Sequence, residues 1–395
     1  MKEHFFSGNA IRLLKNGDEY FPVLEEAIEQ ATREIFLETY IFEHDKAGIR
    51  IGAALSNAAK RGVMVHLMID GFGSRKLPEA FVEQLEQDGV NVLFFGQRTS
   101  PWTLRRSRLR RLHRKLAVID ARLAYVGGIN IIDDRNIPGI PIKGESIPPR
   151  FDYAVEVAGP LVSEIHHSVR NLWIMRAWMH FQRPWKEEGS FPKNHDRPGN
   201  QFAAFLVRDN LRHRRDIELA YLRAIQSAKD EIIIANAYFF PGLGFRHALV
   251  DAATRGVRVV LLLQGRVEYM LLHYATRALY GKFLDSGIEI HEYHKSLLHA
   301  KVAVIDRSWT TVGSSNIDPF SLLLAREANV FIRDEAFAEQ LREDLFAAID
   351  QDSSRLYPDS WAKQPLSIRF KTWLSYGLVR FMTGMAGYGR EHEFR

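Results

Sequence analysis

The chain repeats itself, and nothing else limits its possible folds as strongly. Ala27–Phe42 reads AIEQATREIFLETYIF and Ala224–Phe239 reads AIQSAKDEIIIANAYF. Each is the end of an amphipathic helix followed by an apolar strand. Arg61–Asp70 and Arg255–Gln264 come next, and in both an Arg-Gly-Val start stops a helix ahead of a β-rich run. His113–Asp120 and His299–Asp306 follow. The offset between copies shrinks from 197 to 194 to 186, as small deletions in the loops of the second copy would produce. Two units of roughly 180–190 residues follow from this, each of domain size. Helices alternating with short apolar strands predict an α/β sheet covered by helices in each unit. The polar Glu187–Asn200 stretch, with its Pro and Gly, predicts a linker. The expected boundaries are therefore 1–190, 191–357 and a tail, 358–395, that has no counterpart in the first copy.

Composition narrows the chemistry. The chain has no cysteine, which excludes disulfides, Cys-based zinc sites, iron–sulfur clusters and a thiol nucleophile. No run approaches the roughly 18 apolar residues a spanning helix needs, and the first residues lack the apolar core of a signal peptide. The net charge of +5 is unevenly spread. Leu104–Lys115 holds seven basic and no acidic residues, and Trp361–Arg395 has a net charge of +4, which leaves −6 on the rest. Two concentrated positive zones on an otherwise acidic body point to an anionic partner met at particular places.

The strongest repeat is a six-position pattern, His-x-Lys-x4-Asp-x6-Gly-[Gly/Ser]-x-Asn, with the same spacing in both copies. It comprises His113, Lys115, Asp120, Gly127, Gly128 and Asn130, then His299, Lys301, Asp306, Gly313, Ser314 and Asn316. Side chains at i and i+2 share one face of a strand, so each His and Lys point the same way. Asp120 and Asp306 stand with the motif as candidate catalytic residues. Their opposite parity at the strand's end points rather to fixing the turn or a partner. A lysine charge, a directed Asn donor and a histidine that can act as nucleophile or acid make a phosphate site rather than a metal site. Two such sets facing each other supply one histidine to attack and one to protonate the leaving group. His291 and His294 have a spacing open to metal, but no further ligand set accompanies them. His166 and His167 read as surface or packing residues of a helix.

These paired motifs resemble the HKD signature of the phospholipase D superfamily, and the resemblance covers nearly the whole chain. Within it the chain is most similar to bacterial cardiolipin synthases of the B type, which lack N-terminal membrane helices. Ile234–Pro241, Thr311–Pro319, Val118–Arg122 and Gly127–Asn130 carry that similarity. The resemblance implies an α/β fold of two duplicated α-β-α sandwich domains with one active site at their pseudo-twofold interface. It implies a phosphohistidine formed on His113, with His299 protonating the leaving alcohol and then deprotonating the acceptor. Lys115, Lys301, Asn130 and Asn316 would bind phosphoryl oxygens, with Gly128 and Ser314 beside them; the first copy lacks the Ser314 hydroxyl. No metal or other cofactor is implied. An acidic residue downstream of each motif would orient a histidine, and Asp152 and Glu327 are the candidates; their pairing stays open. The implied reaction joins two phosphatidylglycerol molecules into cardiolipin and glycerol. A phospholipase D hydrolase, or a transphosphatidylase using other partners such as phosphatidylethanolamine, differs only in donor or acceptor.

The basic run before His113 suits lipid and nucleic acid alike. The tail separates them. Leu366, Phe370, Trp373, Leu374, Leu378, Phe381 and Met382 recur at helical spacing with Arg369, Lys371 and Arg380 among them. That pattern reads as an in-plane membrane helix, with docking on the protein body as the alternative. Leu172–Trp185 reads as a core helix closing the first copy. The expectation is a monomeric peripheral enzyme on the cytoplasmic side of the inner membrane, acting on phospholipid at an anionic surface and not on nucleic acid.

Overall fold

A computed structural model describes residues 3–96, 110–137, 148–179, 196–209, 212–267, 269–318 and 325–385. The first half contains β1 (Phe6–Lys15), α1 (Asn16–Gln30), β2 (Glu34–Thr39), α2 (Lys46–Lys60), β3 (Met64–Asp70), α3 (Glu79–Gln87) and β4 (Asn91–Phe95). It continues with β5 (Arg111–Leu112), β6 (Leu116–Ile119), β7 (Leu123–Gly127), β8 (Tyr153–Ala158) and α4 (Leu161–Met179). The second half contains β9 (Gln201–Arg208), α5 (Asp216–Ser227), β10 (Glu231–Asn236), α6 (Leu243–Thr254), β11 (Arg258–Gln264), α7 (Met270–Arg277), α8 (Tyr280–Asp285) and β12 (Glu289–Tyr293). It ends with β13 (Lys301–Ile305), β14 (Trp309–Gly313), β15 (Ala325–Arg333), α9 (Glu335–Asp352), β16 (Ser353–Leu356), α10 (Pro358–Ala362) and α11 (Leu366–Met385).

The duplication is visible in strand order. One half runs β1-β8-β7-β6-β2-β3-β4, and the other runs β9-β15-β14-β13-β10-β11-β12 with β16 added at the edge. β2–β3–β4 and β10–β11–β12 are parallel, as connections through helices require. The remaining pairs along both paths are antiparallel. β1 and β9 pair antiparallel through Phe6–Ala203 and Asn9–Gln201, which makes the two half-sheets one continuous sheet.

Two repeated residues explain how each helix hands over to its strand. Arg61 donates to the carbonyls of Ile28, Glu29 and Ala31 at the end of α1, and Arg255 donates to Ile225 and Ala228 at the end of α5. These groups satisfy carbonyls that a helix end leaves open. Strand alternation then divides the apolar side chains. Val126, Val155 and Val157 join Val312, Val330 and Ile332 in a core shared by both halves, closed by α4 and α9. Two outer cores lie under α1 and α2 and under α5 and α6. Within α4, Leu172, Trp173 and Ala177 enter the shared core, so the described part of Leu172–Trp185 is a core helix. The boundary at 190/191 and most of the expected linker lie outside the described residues.

The tail helix α11 packs on α7, but by a narrow stripe. Thr372 and Val379 are buried, and the Tyr376 ring meets Phe240 at 5.7 Å. The larger apolar side chains point outward: Phe370, Trp373, Leu374, Leu378 and Phe381 are all exposed, Trp373 by 68%. The helix docks on the body, and the docked stripe is not its broad apolar face. Among the described residues, no helix is long and apolar enough to cross a membrane.

Candidate active site

Each histidine is stitched to the opposite half. β5 pairs in parallel with the start of β15, and the His113 amide donates to the Arg326 carbonyl at 3.0 Å. In the mirror arrangement Phe151 bridges Leu298, and the His299 amide donates to the Phe151 carbonyl at 2.9 Å. Arg326 and Phe151 are the residues immediately before Glu327 and Asp152, so the same stitching delivers the carboxylates. His113 Nδ1 meets Glu327 at 3.0 Å, and His299 Nδ1 meets Asp152 at 2.6 Å. With each Nδ1 engaged, Nε2 is the ring nitrogen left for chemistry. The histidines keep 15% and 16% of their side-chain surface exposed, whereas the carboxylates are buried.

The lysines complete two matching sets. Lys115 Nζ donates to the His113 carbonyl at 2.7 Å, and Lys301 Nζ makes the equivalent contact with the His299 carbonyl. Both lysines are buried. Burial, opposed by the Glu327 charge and helped by Lys301, brings the Lys115 pKa down to about 7. Burial and the neighbouring Lys301 charge lower His299 to about 3, and His113 is lowered for the same first reason. Burial would raise both carboxylates. For Asp152 the charges of Lys301 and His299 overcome it, for Glu327 those of His113 and Lys115, and both end below the usual range. The site therefore offers two imidazoles, each held by a buried carboxylate of the other half, beside two buried lysines.

The remaining motif residues divide by role. Asp120 accepts from the amides of Thr32, Arg33 and Glu34, and Asp306 from those of Lys229, Asp230 and Glu231. Each also begins the hairpin turn after its strand, with φ of 51° and 49° and a second positive φ at the next residue. A strand of four residues, roughly 13 Å, separates Asp120 from the His113 end. This corrects the expectation that Asp120 and Asp306 are catalytic: they fasten the central strands. Gly128 is corrected too. A side chain there would collide with the Asp152 carboxylate, so its bareness accommodates Asp152 rather than a ligand. At the matching position Ser314 donates to Glu327 at 2.5 Å and accepts from the Ala328 amide, which engages its hydroxyl with the carboxylate. Asn130 and Asn316 are buried near the start of the returning chain, and Asn130 Oδ1 accepts from the Ile41 amide, which leaves Nδ2 to donate.

Arg114 leaves the positive zone. Strand alternation turns it away from its neighbours, and it is buried against Glu38 at 2.6 and 2.8 Å and Ser168 at 2.8 Å. Residues 104–109 of the basic run lie outside the described residues. His166 is buried and pairs with Glu34 at 2.7 Å, while His291 faces Glu289 and Ser353.

Sequence reasoning missed three contributors. The Tyr40 ring meets His113 edge-on at 4.9 Å and lies 5.4 Å from Lys115 Nζ. Asp70 accepts from the Leu112 amide at 2.7 Å, and the repeat-equivalent Gln264 donates to the Leu298 carbonyl at 3.2 Å. Both thus hold the residue preceding a motif histidine. The signal was present: the repeat aligns two polar residues at the ends of otherwise apolar strands. For Tyr40 no such signal existed, since its counterpart is Ala237.

A family model described as "Cardiolipin synthase, PLD-like domain" matches residues 24–136 and 221–348, one motif in each stretch. The chain is 40% identical to cardiolipin synthase B of Salmonella typhi over 393 residues, covering 99% of this chain and 93% of that one. It is 38% identical to cardiolipin synthase B of Escherichia coli over 396 residues, covering 100% and 94%. Its fold is similar to the crystal structure of phosphatidylserine synthase from Haemophilus influenzae, with a TM-score of 0.72, 97% coverage of both chains and 15% identity. A duplicated sheet, two facing His–Lys sets and full-length similarity agree: this chain belongs to the phospholipase D-like cardiolipin synthase family.

Proposed function

We propose that this chain is a cardiolipin synthase that transfers a phosphatidyl group between two phosphatidylglycerol molecules through a phosphohistidine. The observation that carries this reading is the pair of His–carboxylate contacts, each made across the two halves. His113 Nε2 attacks the phosphorus of the first phosphatidylglycerol. The P–O bond to its headgroup glycerol breaks, and His299 supplies the proton that leaves with glycerol. A headgroup hydroxyl of the second molecule then gives its proton to His299 and attacks phosphorus, and the P–N bond breaks to release cardiolipin. One phosphodiester replaces another, so no external energy source is needed. Lys115, Lys301, Asn130 and Asn316 hold the non-bridging oxygens, where fixed donors stabilise the developing charge. Binding of the anionic phosphate raises the low His299 pKa toward the value an acid requires. Glu327, Asp152 and Ser314 act through the histidines as positioning residues.

The outward face of α11, with Arg369, Lys371 and Arg380 beside its aromatics, supports docking on an anionic bilayer. Residues 1–190 and 191–357 act as the two catalytic units and 358–395 as the membrane-binding tail of a monomer at the cytoplasmic side of the inner membrane. Mass spectrometry of products from phosphatidylglycerol vesicles tests the transfer. Cardiolipin and glycerol are expected; phosphatidic acid alone would reassign the protein as a hydrolase. Deleting 361–395 should abolish vesicle flotation.

A further inference from the structure

A second polar cavity lies outside the histidine site, between the tail and the second half. It has a volume of about 570 Å³ and is walled by α6, α7, α8, α10 and α11. Arg246, Lys282 and Arg369 reach it from three different elements. Arg277 also lines it, but that charge is paired with Glu292 at 3.0 Å and lies over the Trp361 ring at 5.1 Å. Asp285 is the single carboxylate in the described wall. Lys282 and Arg369 form no ion pair among the described residues. Arg246 donates to the Tyr376 hydroxyl at 3.3 Å, while its buried Nε has no partner among the described residues. Trp361 and Trp373 supply aromatic wall, and Trp373 continues onto the outward apolar face of α11.

Such a site combines an excess of cations over its one carboxylate with an apolar surface leading away from them. That is the chemistry of a phosphodiester headgroup with its acyl chains. The reacting phosphate is elsewhere. Tyr269, just before α7, shares a pocket wall with Gln264, which holds the residue preceding His299. Arg277 closes the other end of α7, about 12 Å along the helix. We infer that this cavity binds the headgroup of a non-reacting anionic phospholipid, which fixes α11 against α7 and seats the histidine site on the bilayer. The inference rests on the membrane role proposed for α11.

The test is flotation of the full chain on phosphatidylcholine vesicles with and without phosphatidylglycerol, at fixed ionic strength. The wild type should prefer the anionic vesicles, and the Lys282→Gln/Arg369→Gln double variant should lose about tenfold of that preference while still floating on both. Arg122→Gln/Lys229→Gln removes the same charge from exposed positions outside the cavity wall and should keep the preference. Unchanged melting temperatures establish that all variants are folded. A double variant with wild-type preference, or a control that loses as much, overturns the inference. A wild type that floats on neither vesicle overturns the membrane reading itself. Titration with inorganic phosphate is the second arm: tight, saturable binding abolished in the double variant would reassign the cavity to soluble phosphate.

Discussion

His113 Nδ1 and the Glu327 carboxylate meet at 3.0 Å although 214 residues separate them and they belong to different halves. The mirror contact, His299 to Asp152, spans 147 residues. Neither half holds a working histidine by itself. Glu327→Gln should lower kcat by about 10⁴-fold, the order seen when a histidine loses its orienting carboxylate. Asp152→Asn should do the same through the other histidine. Intact-mass measurements after an alkaline quench, which spares the P–N bond, separate the two: Glu327→Gln should fail to form phosphohistidine, and Asp152→Asn should form it and release it, both slowly. The reverse pattern would make His299 the nucleophile.

The Lys115 pKa of about 7 gives the reaction a pH limit. Lys115 is charged below that value and neutral above it, so kcat/KM should fall as pH rises through about 7. The stability effect has the opposite sense. The folded state holds the Lys115 proton more weakly than the unfolded chain, whose lysine titrates near 10.4. This contribution therefore opposes folding fully below about pH 7 and is relieved as pH rises from there toward 10. A pH profile of kcat/KM that stays flat from about 6 to 9 would refute the assignment of Lys115 charge to phosphate binding.

The Gly128 and Ser314 positions are matched in sequence but not exchangeable. Ser314→Ala removes the 2.5 Å hydrogen bond to Glu327 and should lower kcat about tenfold with little change in KM. Gly128→Ser places atoms where the Asp152 carboxylate lies and should remove nearly all activity. Steady-state kinetics on both variants checks the difference. Equal, mild effects would mean that the carboxylates tolerate movement.

Asp120→Ala and Asp306→Ala should act on stability. Each leaves three backbone amides without their acceptor, at a cost of about 1–3 kcal/mol. Thermal unfolding should show lower midpoints. The folded fraction should retain kcat within about threefold, since the reacting groups stay in place. A loss of several orders of magnitude in fully folded protein would return these residues to the chemistry.

Much of this molecule was legible in its sequence, because the relevant rules are local. Period-two alternation puts His113 with Lys115 and His299 with Lys301, and also turns Arg114 to the opposite face. Repetition of the helix–strand units predicted two like half-sheets, and their strand orders match one for one until β16. Asp70 and Gln264 were equally repeated, yet their role depends on which backbone segment crosses the end of β3 or β11.

Only the tertiary structure decided the pairing of histidines with carboxylates. Asp152 and Glu327 follow their own motifs by 39 and 28 residues, which by sequence favours neither partner. Within one half, β7 lies between β6 and β8, and β14 between β13 and β15, so the same-half carboxylate stands two strand spacings away, roughly 10 Å. That is beyond hydrogen-bond reach, whereas the facing half brings its carboxylate into contact. Sequence determined which groups could do the chemistry, because side-chain direction along a strand is a local property. The packing of two half-sheets through a shared core determined which groups meet, because that depends on surfaces far apart in the chain.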